Sequence, residues 1–205
     1  MCAGFSRDGF HWHRPDHRAL VPVSETPGDW NWGNVQSAGG CCLIVGDQLY
    51  FYVSGRAGVR GSPASGVSTT GLAVLRRDGF ASMGAGDQEG SLVTRPVTFR
   101  GKHLFVNVAA KGGELRAEVL DRDGQVITGL TRDTCVPVRV DSTRAAVAWQ
   151  GADLARLPGQ AVRFRFYLRN AELYAFWVSP ERTGASHGYV AAGGPGLTGP
   201  TDTIS

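Results

Sequence analysis

The segment AVRFRFYLR, residues 161–169, alternates apolar and polar side chains with a period of two. In an extended chain, this alternation places the valine, both phenylalanines and the leucine on one face and the arginines with Tyr167 on the other. A face of large apolar side chains needs a core, whereas a face of arginines needs water. The segment therefore predicts a β-strand that covers a hydrophobic core on one side and is solvated on the other.

Similar short β-rich segments surround this strand between residues 91 and 180, separated by turn signals such as Asp123-Gly124 and Asn170-Ala171. They are Leu92–Phe99, His103–Ala109, Glu114–Asp121, Gln125–Thr128, Val136–Val140, Arg144–Trp149 and Glu172–Val178. Together with the first segment they predict a jelly-roll-like antiparallel β-sandwich over residues 91–180. Residues 181–205 are rich in Gly, Pro and Thr and predict an extended, partly disordered tail.

Residues 1–88 predict β-structure of another kind. The runs Cys41–Val45 and Leu49–Val53 flank the turn Gly46-Asp47-Gln48 and predict a tight hairpin. Because this hairpin is apolar on both faces, we expect it to be covered on both faces. A further strand is predicted at Thr70–Leu75, and we expect this part of the chain to close at Gly84–Asp87.

A short internal repeat lies within this first part. The sequence Arg-Asp-Gly-Phe occurs at Arg7–Phe10 and again at Arg77–Phe80. In both copies we expect the aspartate to cap backbone N–H groups of a turn. A repeat at this spacing is typical of propeller blades. The sequence thus predicts an all-β chain, with a partial β-propeller of one to two blades over 1–88 followed by the β-sandwich.

The composition excludes several classes of protein. Glycine occupies 29 of 205 positions, about twice its usual share, which disfavours a helical bundle. The net charge of +3 is too small to predict nucleic-acid binding. No apolar run approaches the roughly 20 residues of a membrane span, and no leader peptide is evident. We therefore expect a cytoplasmic protein with no membrane partner, in which Cys2, Cys41, Cys42 and Cys135 are free, mostly buried thiols.

Longer segments carry a resemblance to a known family. The motif Ser6-x-Asp8-Gly9-x-x-Trp12 and three longer runs resemble the later blades of bacterial glycoside hydrolase family 32-like proteins, which have a five-bladed propeller. These runs are Trp30–Ser37, Leu49–Arg56 and Thr70–Phe80. Gly101–Val108 and Leu173–Ser179 resemble the C-terminal β-sandwich of the same proteins.

The resemblance implies a carbohydrate-active protein of glycoside hydrolase type, which binds and hydrolyses an oligo- or polysaccharide. It begins, however, in the late blades, and the blades that carry the family's nucleophilic Asp and acid/base Glu have no counterpart. None of the four cysteines directly follows a Glu, so the family's Glu-Cys signature is absent as well. We expect a C-terminal portion of such a protein, and the alternative is a non-catalytic carbohydrate-binding or structural module.

The candidate catalytic groups lie beside a tryptophan-rich loop. Glycoside hydrolysis needs two carboxyl groups that flank the scissile bond. Glu25 and Asp29 are the acidic residues nearest to this loop and are our candidates for that pair. A plain surface loop is the competing interpretation of Asp29.

Candidate sugar-binding residues follow directly in the sequence. Trp30 and Trp32 can stack on a sugar ring, while Asn34, Gln36 and Arg56 can bond to its hydroxyl groups. Asn34 and Gln36 are expected on one strand face. The alternative places both tryptophans in a core and gives Arg56 an ordinary salt bridge.

Three other chemistries are weaker. His11, His13 and His17 could hold a metal, but surface histidines are favoured, and we expect no metal or cofactor. An esterase would need a nucleophile elbow, in which the serine lies on a sharp turn between a strand and a helix, and the Gly-containing serine segments of this sequence lack that context.

The arginines at 163, 165 and 169 could bind an acidic glycan. Cross-strand pairing with Glu114, Glu118 and Glu172 is favoured. Incomplete blades expose strand edges, so we also expect self-association.

Overall fold

A computed structural model of the chain describes residues 1–39, 42–59, 61–62, 66–190 and 192–203. Within these ranges the regular structure is entirely β, with antiparallel strand pairs and no helix. The all-β prediction is therefore confirmed. The chain forms two compact units, Met1–Arg76 with Ala191–Pro195, and Arg77–Val190 with Gly196–Ser205.

The first unit is built around one long strand. Its strands are β1 (Phe5–Ser6), β2 (Trp12–His13), β3 (Asn34–Ala38), β4 (Leu43–Val45), β5 (Gln48–Arg56) and β6 (Ser68–Arg76). β5 pairs with β6 along its whole length, and its other edge pairs first with β4 and then with β3. β1 and β2 form a separate two-stranded ribbon. One antiparallel sheet of this kind is compatible with a blade, and the partial propeller stays a prediction.

The two faces of the β5–β6 sheet differ in burial. Leu49 and Val53 of β5 are buried together with Ile44 of β4 on one face. On the opposite face, Tyr52 is 53% exposed and Leu72, its partner on β6, is 48% exposed. The expectation that the hairpin is covered on both faces is therefore wrong. Strand alternation is kept, but only one face is covered within the described residues.

The second unit contains seven strands in two sheets. Its strands are β7 (Met83–Ala85), β8 (Gly90–Val93), β9 (His103–Ala109), β10 (Glu114–Leu120), β11 (Asp141–Val147), β12 (Arg163–Arg169) and β13 (Ala171–Ser179). One sheet has the order β10-β12-β8 and the other has the order β11-β9-β13-β7. The short strand β7 belongs to this unit because it pairs with β13. Gly84 and Ala85 therefore belong to the second unit, whereas we had expected the first part of the chain to close there.

A hydrophobic core lies between the two sheets of the second unit. Phe164 and Phe166 of β12 are fully buried. Their rings lie 5.6 and 5.2 Å from the ring of Phe176 on β13, which belongs to the other sheet. Aromatic contacts across the gap between two antiparallel sheets define a β-sandwich. The sandwich predicted for this half of the chain is confirmed.

The outer face of β12 is solvated and charged, as its alternation predicts. Arg165 contacts Glu118 at 2.7 Å and Arg169 contacts Glu114 at 3.5 Å, each pair facing across β12 and β10. Glu172 does not take part, because its carboxylate accepts a hydrogen bond from Tyr174 at 2.6 Å. Cross-strand pairing is thus confirmed for two of the three glutamates.

The chain after β13 contributes to both units. Ser179 Oγ donates a hydrogen bond to the carbonyl of Ala185 at 2.7 Å, and the carboxylate of Asp202 forms an ion pair with Arg77 at 3.1 Å. Both contacts lie within the second unit. Between them, the backbone N–H of Ile44 donates to the carbonyl of Gly193 at 2.9 Å, which ties this short stretch to β4.

Candidate functional site

Trp30 lies against two glycines of the β5–β6 sheet. A Cβ atom on Gly55 would lie 2.5 Å from its ring, and one on Gly71 would lie 2.4 Å from it. The Trp30 carbonyl also accepts a hydrogen bond from Thr69 Oγ1 at 2.7 Å. These contacts place the indole on the covered face of the sheet, where it packs as a core residue.

Trp32 has a similar packing role in the following loop. A Cβ atom on Gly58, where the backbone has φ +68°, would lie 2.7 Å from the Trp32 ring. The N–H of Gly33 donates to the carbonyl of Arg56 at 2.7 Å, which holds the loop to the end of β5. Both tryptophans are half-buried, so the core interpretation describes their observed contacts better than an open stacking site does.

The two candidate catalytic carboxylates lie in the exposed loop before Trp30. Asp29 Oδ2 accepts a hydrogen bond from Ser24 Oγ at 2.5 Å, and its backbone carbonyl accepts the N–H of Trp32 at 3.1 Å. Glu25 is exposed one residue after Ser24. Asp29 therefore organises the loop, and the catalytic role of Glu25 and Asp29 stays a prediction.

Asn34 and Arg56 meet at the end of the sheet. They are register partners on β3 and β5 and lie on the open face, opposite to Trp30. Gln36 is exposed next to them, but a bulge between Val35 and Ser37 interrupts the alternation. The expectation that Asn34 and Gln36 share a face by simple alternation therefore does not hold.

Arg56 retains unused hydrogen-bonding capacity. Among the described residues its Nε is buried without a hydrogen-bond partner. A buried polar group without a partner costs about 1–3 kcal/mol. The alternative interpretation of Arg56, an ordinary salt bridge, is not found among the described residues.

The open face of the β5–β6 sheet carries residues that the sequence analysis did not select. Tyr50 and Tyr52 of β5 lie beside Val74 and Leu72 of β6, their register partners, and Leu43 lies opposite Tyr50 on β4. Val74 is 49% exposed. The side chains of Gln48–Arg56 alternate between two faces, so the sequence already places these residues together. Because both faces of this segment are apolar, however, the sequence predicts cover on both faces and does not indicate that one of them is open.

The first copy of the repeat forms a capped turn beside a cavity of about 430 Å³. Asp8 Oδ1 accepts the backbone N–H groups of His11 and Phe10 at 2.8 and 2.9 Å, and these bonds hold the pKa of Asp8 well below its usual range. The predicted cap is confirmed for Asp8. Asp78 instead takes a left-handed backbone, with φ 53°, and its side chain is 71% exposed with Arg77 at 3.9 Å.

The histidines and cysteines that the structure describes do not assemble a further centre. His11, His13 and His17 are exposed, and His11 Nδ1 lies 2.5 Å from Asp8 Oδ2. In the described parts of the chain, no three His, Cys, Asp or Glu residues group as metal ligands.

The cysteines differ in their surroundings. Cys2 is exposed, whereas Cys135 is buried, which raises the pKa of its thiol. Cys41 lies outside the described residues.

Comparison with known proteins gave no match: no family model, curated protein or solved structure is similar to this chain. The resemblance to glycoside hydrolase family 32 therefore stays a prediction from the quoted segments. Across the described residues, the structure also contains no helix with the length and apolar character of a membrane span.

Proposed function

We propose that the chain is a non-catalytic carbohydrate-binding protein and that the open face of β5 and β6 binds the sugar. The observation that carries this proposal is the exposure of Tyr52, Leu72 and Val74 on one face of the sheet. Tyr50 and Tyr52 are two positions apart on β5, so their Cα atoms are about 7 Å apart along the strand. Such a row offers an apolar surface on which the CH face of a sugar ring can pack.

Polar groups at the end of this face supply the second requirement of a sugar site. The amide of Asn34 and the guanidinium of Arg56 are adjacent there by strand register, and exposed Thr70 adds a hydroxyl group. Sites for polar small molecules combine an apolar surface with a few hydrogen-bonding groups. Two residues that the sequence analysis selected, Asn34 and Arg56, therefore keep a role in the proposed site.

Binding is favoured over hydrolysis because of the surroundings of the carboxylates. A catalytic acid of a glycosidase works in an apolar, water-poor setting. Glu25 and Asp29 are exposed, and Asp29 bonds to Ser24 within its own loop. Neither carboxylate lies on the open face of the sheet.

The proposal is tested by binding measurements on a panel of soluble and insoluble polysaccharides, fructans included. We expect at least one of them to retain the protein, and we expect Tyr52→Ala to weaken this binding about tenfold, since stacked aromatic contacts and buried apolar area contribute about 1–2 kcal/mol. Tyr189→Ala is the matched control, because Tyr189 is 89% exposed in the other unit. Equal binding by both variants would overturn the proposal.

Two further readouts separate the competing functions. Release of reducing sugar from the panel or from aryl glycosides, abolished by Glu25→Gln and Asp29→Asn, would restore the hydrolase prediction. The second readout is the mass in solution by light scattering. If the protein binds no sugar, and its mass exceeds that of one chain but falls in the Tyr52→Ala variant, the open face of β5 and β6 serves self-association instead. The self-association that the sequence predicts is tested by the same measurement.

A further inference from the structure

A second cavity lies in the β-sandwich unit and is lined mainly by polar residues. Its volume is about 540 Å³. It is bounded by turns at the ends of β7, β9, β10 and β12. The lining residues are Asp87, Lys111, Gly112, Gly113, Glu114, Arg139, Arg169 and Asn170.

The basic side chains of this cavity outnumber its carboxylates. The carboxylate of Glu114 forms ion pairs with Arg139 at 2.7 Å, Arg169 at 3.5 Å and Arg116 at 3.7 Å. Of these three arginines, only Arg139 and Arg169 line the cavity, and the single charge of Glu114 can neutralise only one of them. Asp87 offsets a second positive charge at most, and Lys111 adds another. The cavity therefore has an excess of positive charge.

Glu114 remains ionised in this setting. Burial acts to raise its pKa, but the hydrogen bond from Arg139 and the charges of Arg116, Arg139 and Arg169 outweigh burial and lower the pKa. The Glu114 side chain is only 11% exposed, whereas those of Arg139 and Arg169 are 61% and 54% exposed. The nearly buried carboxylate therefore holds the guanidinium groups of Arg139 and Arg169, and part of each of these side chains stays exposed.

The backbone fixes these groups in place. A Cβ atom on Gly113 would lie 1.9 Å from the carbonyl oxygen of Arg169, so only glycine allows this turn to approach the end of β12. Asn170 takes a left-handed backbone, with φ 44°, and its N–H donates to the carbonyl of Gly86 at 2.7 Å. These backbone contacts hold the Gly113 turn and the Arg169-Asn170 end of β12, which are two of the segments that line the cavity.

From this arrangement we infer that the cavity is an anion-binding site for a carboxylate or sulfate group, with Arg139 and Arg169 as its principal ligands. Guanidinium groups pair with such planar or tetrahedral oxyanions through two parallel N–H donors. The site goes beyond the proposed sugar-binding face, because it lies in the other unit and requires a charged ligand. A uronate and inorganic sulfate present the shared chemistry, and they serve as the probes.

The test titrates the full chain with potassium glucuronate, sodium sulfate and neutral glucuronamide. We expect glucuronate or sulfate to bind, glucuronamide not to bind, and amide resonances of Gly112 and Gly113 to shift. The preferred anion identifies the source of the charged group. Raising the salt concentration should weaken binding, since screening acts on exposed charges.

Variants distinguish a ligand site from a structural ion cluster. Arg139→Gln should weaken anion binding by about tenfold or more, because a charge-assisted hydrogen bond is lost. Arg122→Gln is the charge-matched control at an exposed position of the same unit.

The proposal fails if neither glucuronate nor sulfate binds to the unmodified chain. It fails equally if glucuronamide binds as well as glucuronate, or if Arg122→Gln weakens binding as much as Arg139→Gln does. If the chain binds no anion but is still retained by a polysaccharide, and Tyr52→Ala weakens that retention, the sugar-binding proposal stands while the anion-site proposal fails. The two proposals can therefore be judged separately.

Discussion

At the scale of single residues, Trp30 shows how glycine creates space on a sheet. The two positions on which its ring lies, Gly55 and Gly71, belong to neighbouring strands and have no side chain to displace. A flat indole can therefore lie directly on the backbone of β5 and β6. This close approach fixes the loop that contains both candidate carboxylates.

Gly71→Ala should destabilise the first unit. Its new methyl group would overlap the Trp30 ring, and overpacking of this kind costs about 1–3 kcal/mol. The urea midpoint of unfolding, followed by tryptophan fluorescence, measures the effect. Gly193→Ala is the control in the same unit, since a methyl group there meets open space. Equal midpoints for the two variants would contradict the packing described for Trp30.

The sequence alone could not assign Trp30 to packing. A tryptophan that binds sugar and one that packs on a sheet both need apolar contact, so the residue type favours neither role. Gly71 was the usable signal, because a glycine inside a predicted strand indicates that another group approaches the backbone closely. Gly55 lies beyond the predicted strand Leu49–Val53 and offered no such signal. Only the strand register shows that both lie beneath the same ring.

At the scale of strands, the ion cluster on Glu114 links β10 to β12 and makes stability depend on pH. The pKa of this carboxyl is lower in the folded chain than its ordinary value. Its stabilising contribution is therefore fully present above the unfolded pKa and is lost as the pH falls through the folded pKa.

Glu114→Gln should reduce stability more at pH 7 than at an acidic pH below the folded pKa of Glu114, because there the carboxyl is protonated in both the folded and the unfolded chain. Chemical unfolding of both proteins at each pH measures this difference. Glu172→Gln, at an exposed position on β13, is the control and should show little such dependence. A stability difference for Glu114→Gln that is the same at both pH values would show that the ion pairs do not contribute.

Strand prediction succeeded where alternation is strong. The predicted segment at 103–109 matches β9 residue by residue, and β12 and β13 differ from their predictions only at the ends. Two predicted strands, Gln125–Thr128 and Val136–Val140, form only isolated bridges, at Val126 and Val138. Pro137 lacks the N–H that a continuing ladder requires, which a propensity argument underestimates.

At the scale of the whole molecule, the two units differ in the size of their cores. In the first unit, the buried apolar residues are Val35, Ile44, Leu49 and Val53 among those described. The second unit has a continuous buried cluster that involves both of its sheets. Burial of apolar area is the main stabilising contribution to a fold, so we expect the units to differ in local stability.

Hydrogen exchange followed by mass spectrometry should detect this difference. Amides of β9 and β10 are expected to exchange more slowly than those of β5 and β6, because opening the larger core exposes more apolar surface. A saturating ligand on the open face of β5 and β6 should slow exchange in those strands selectively. Equal protection of both units without ligand would contradict the difference in core size.

The short return of the chain near Gly193 has a consequence for biosynthesis. Gly194 has no room for a side chain, because a Cβ atom there would lie 1.8 Å from the carbonyl oxygen of Ile44. Yet this contact joins β4 to a stretch that the ribosome makes only after every strand of the sandwich. Domains usually fold in the order of their synthesis. Here the unit that begins first gains its contact with Gly193 and Gly194 only after every strand of the sandwich has been made.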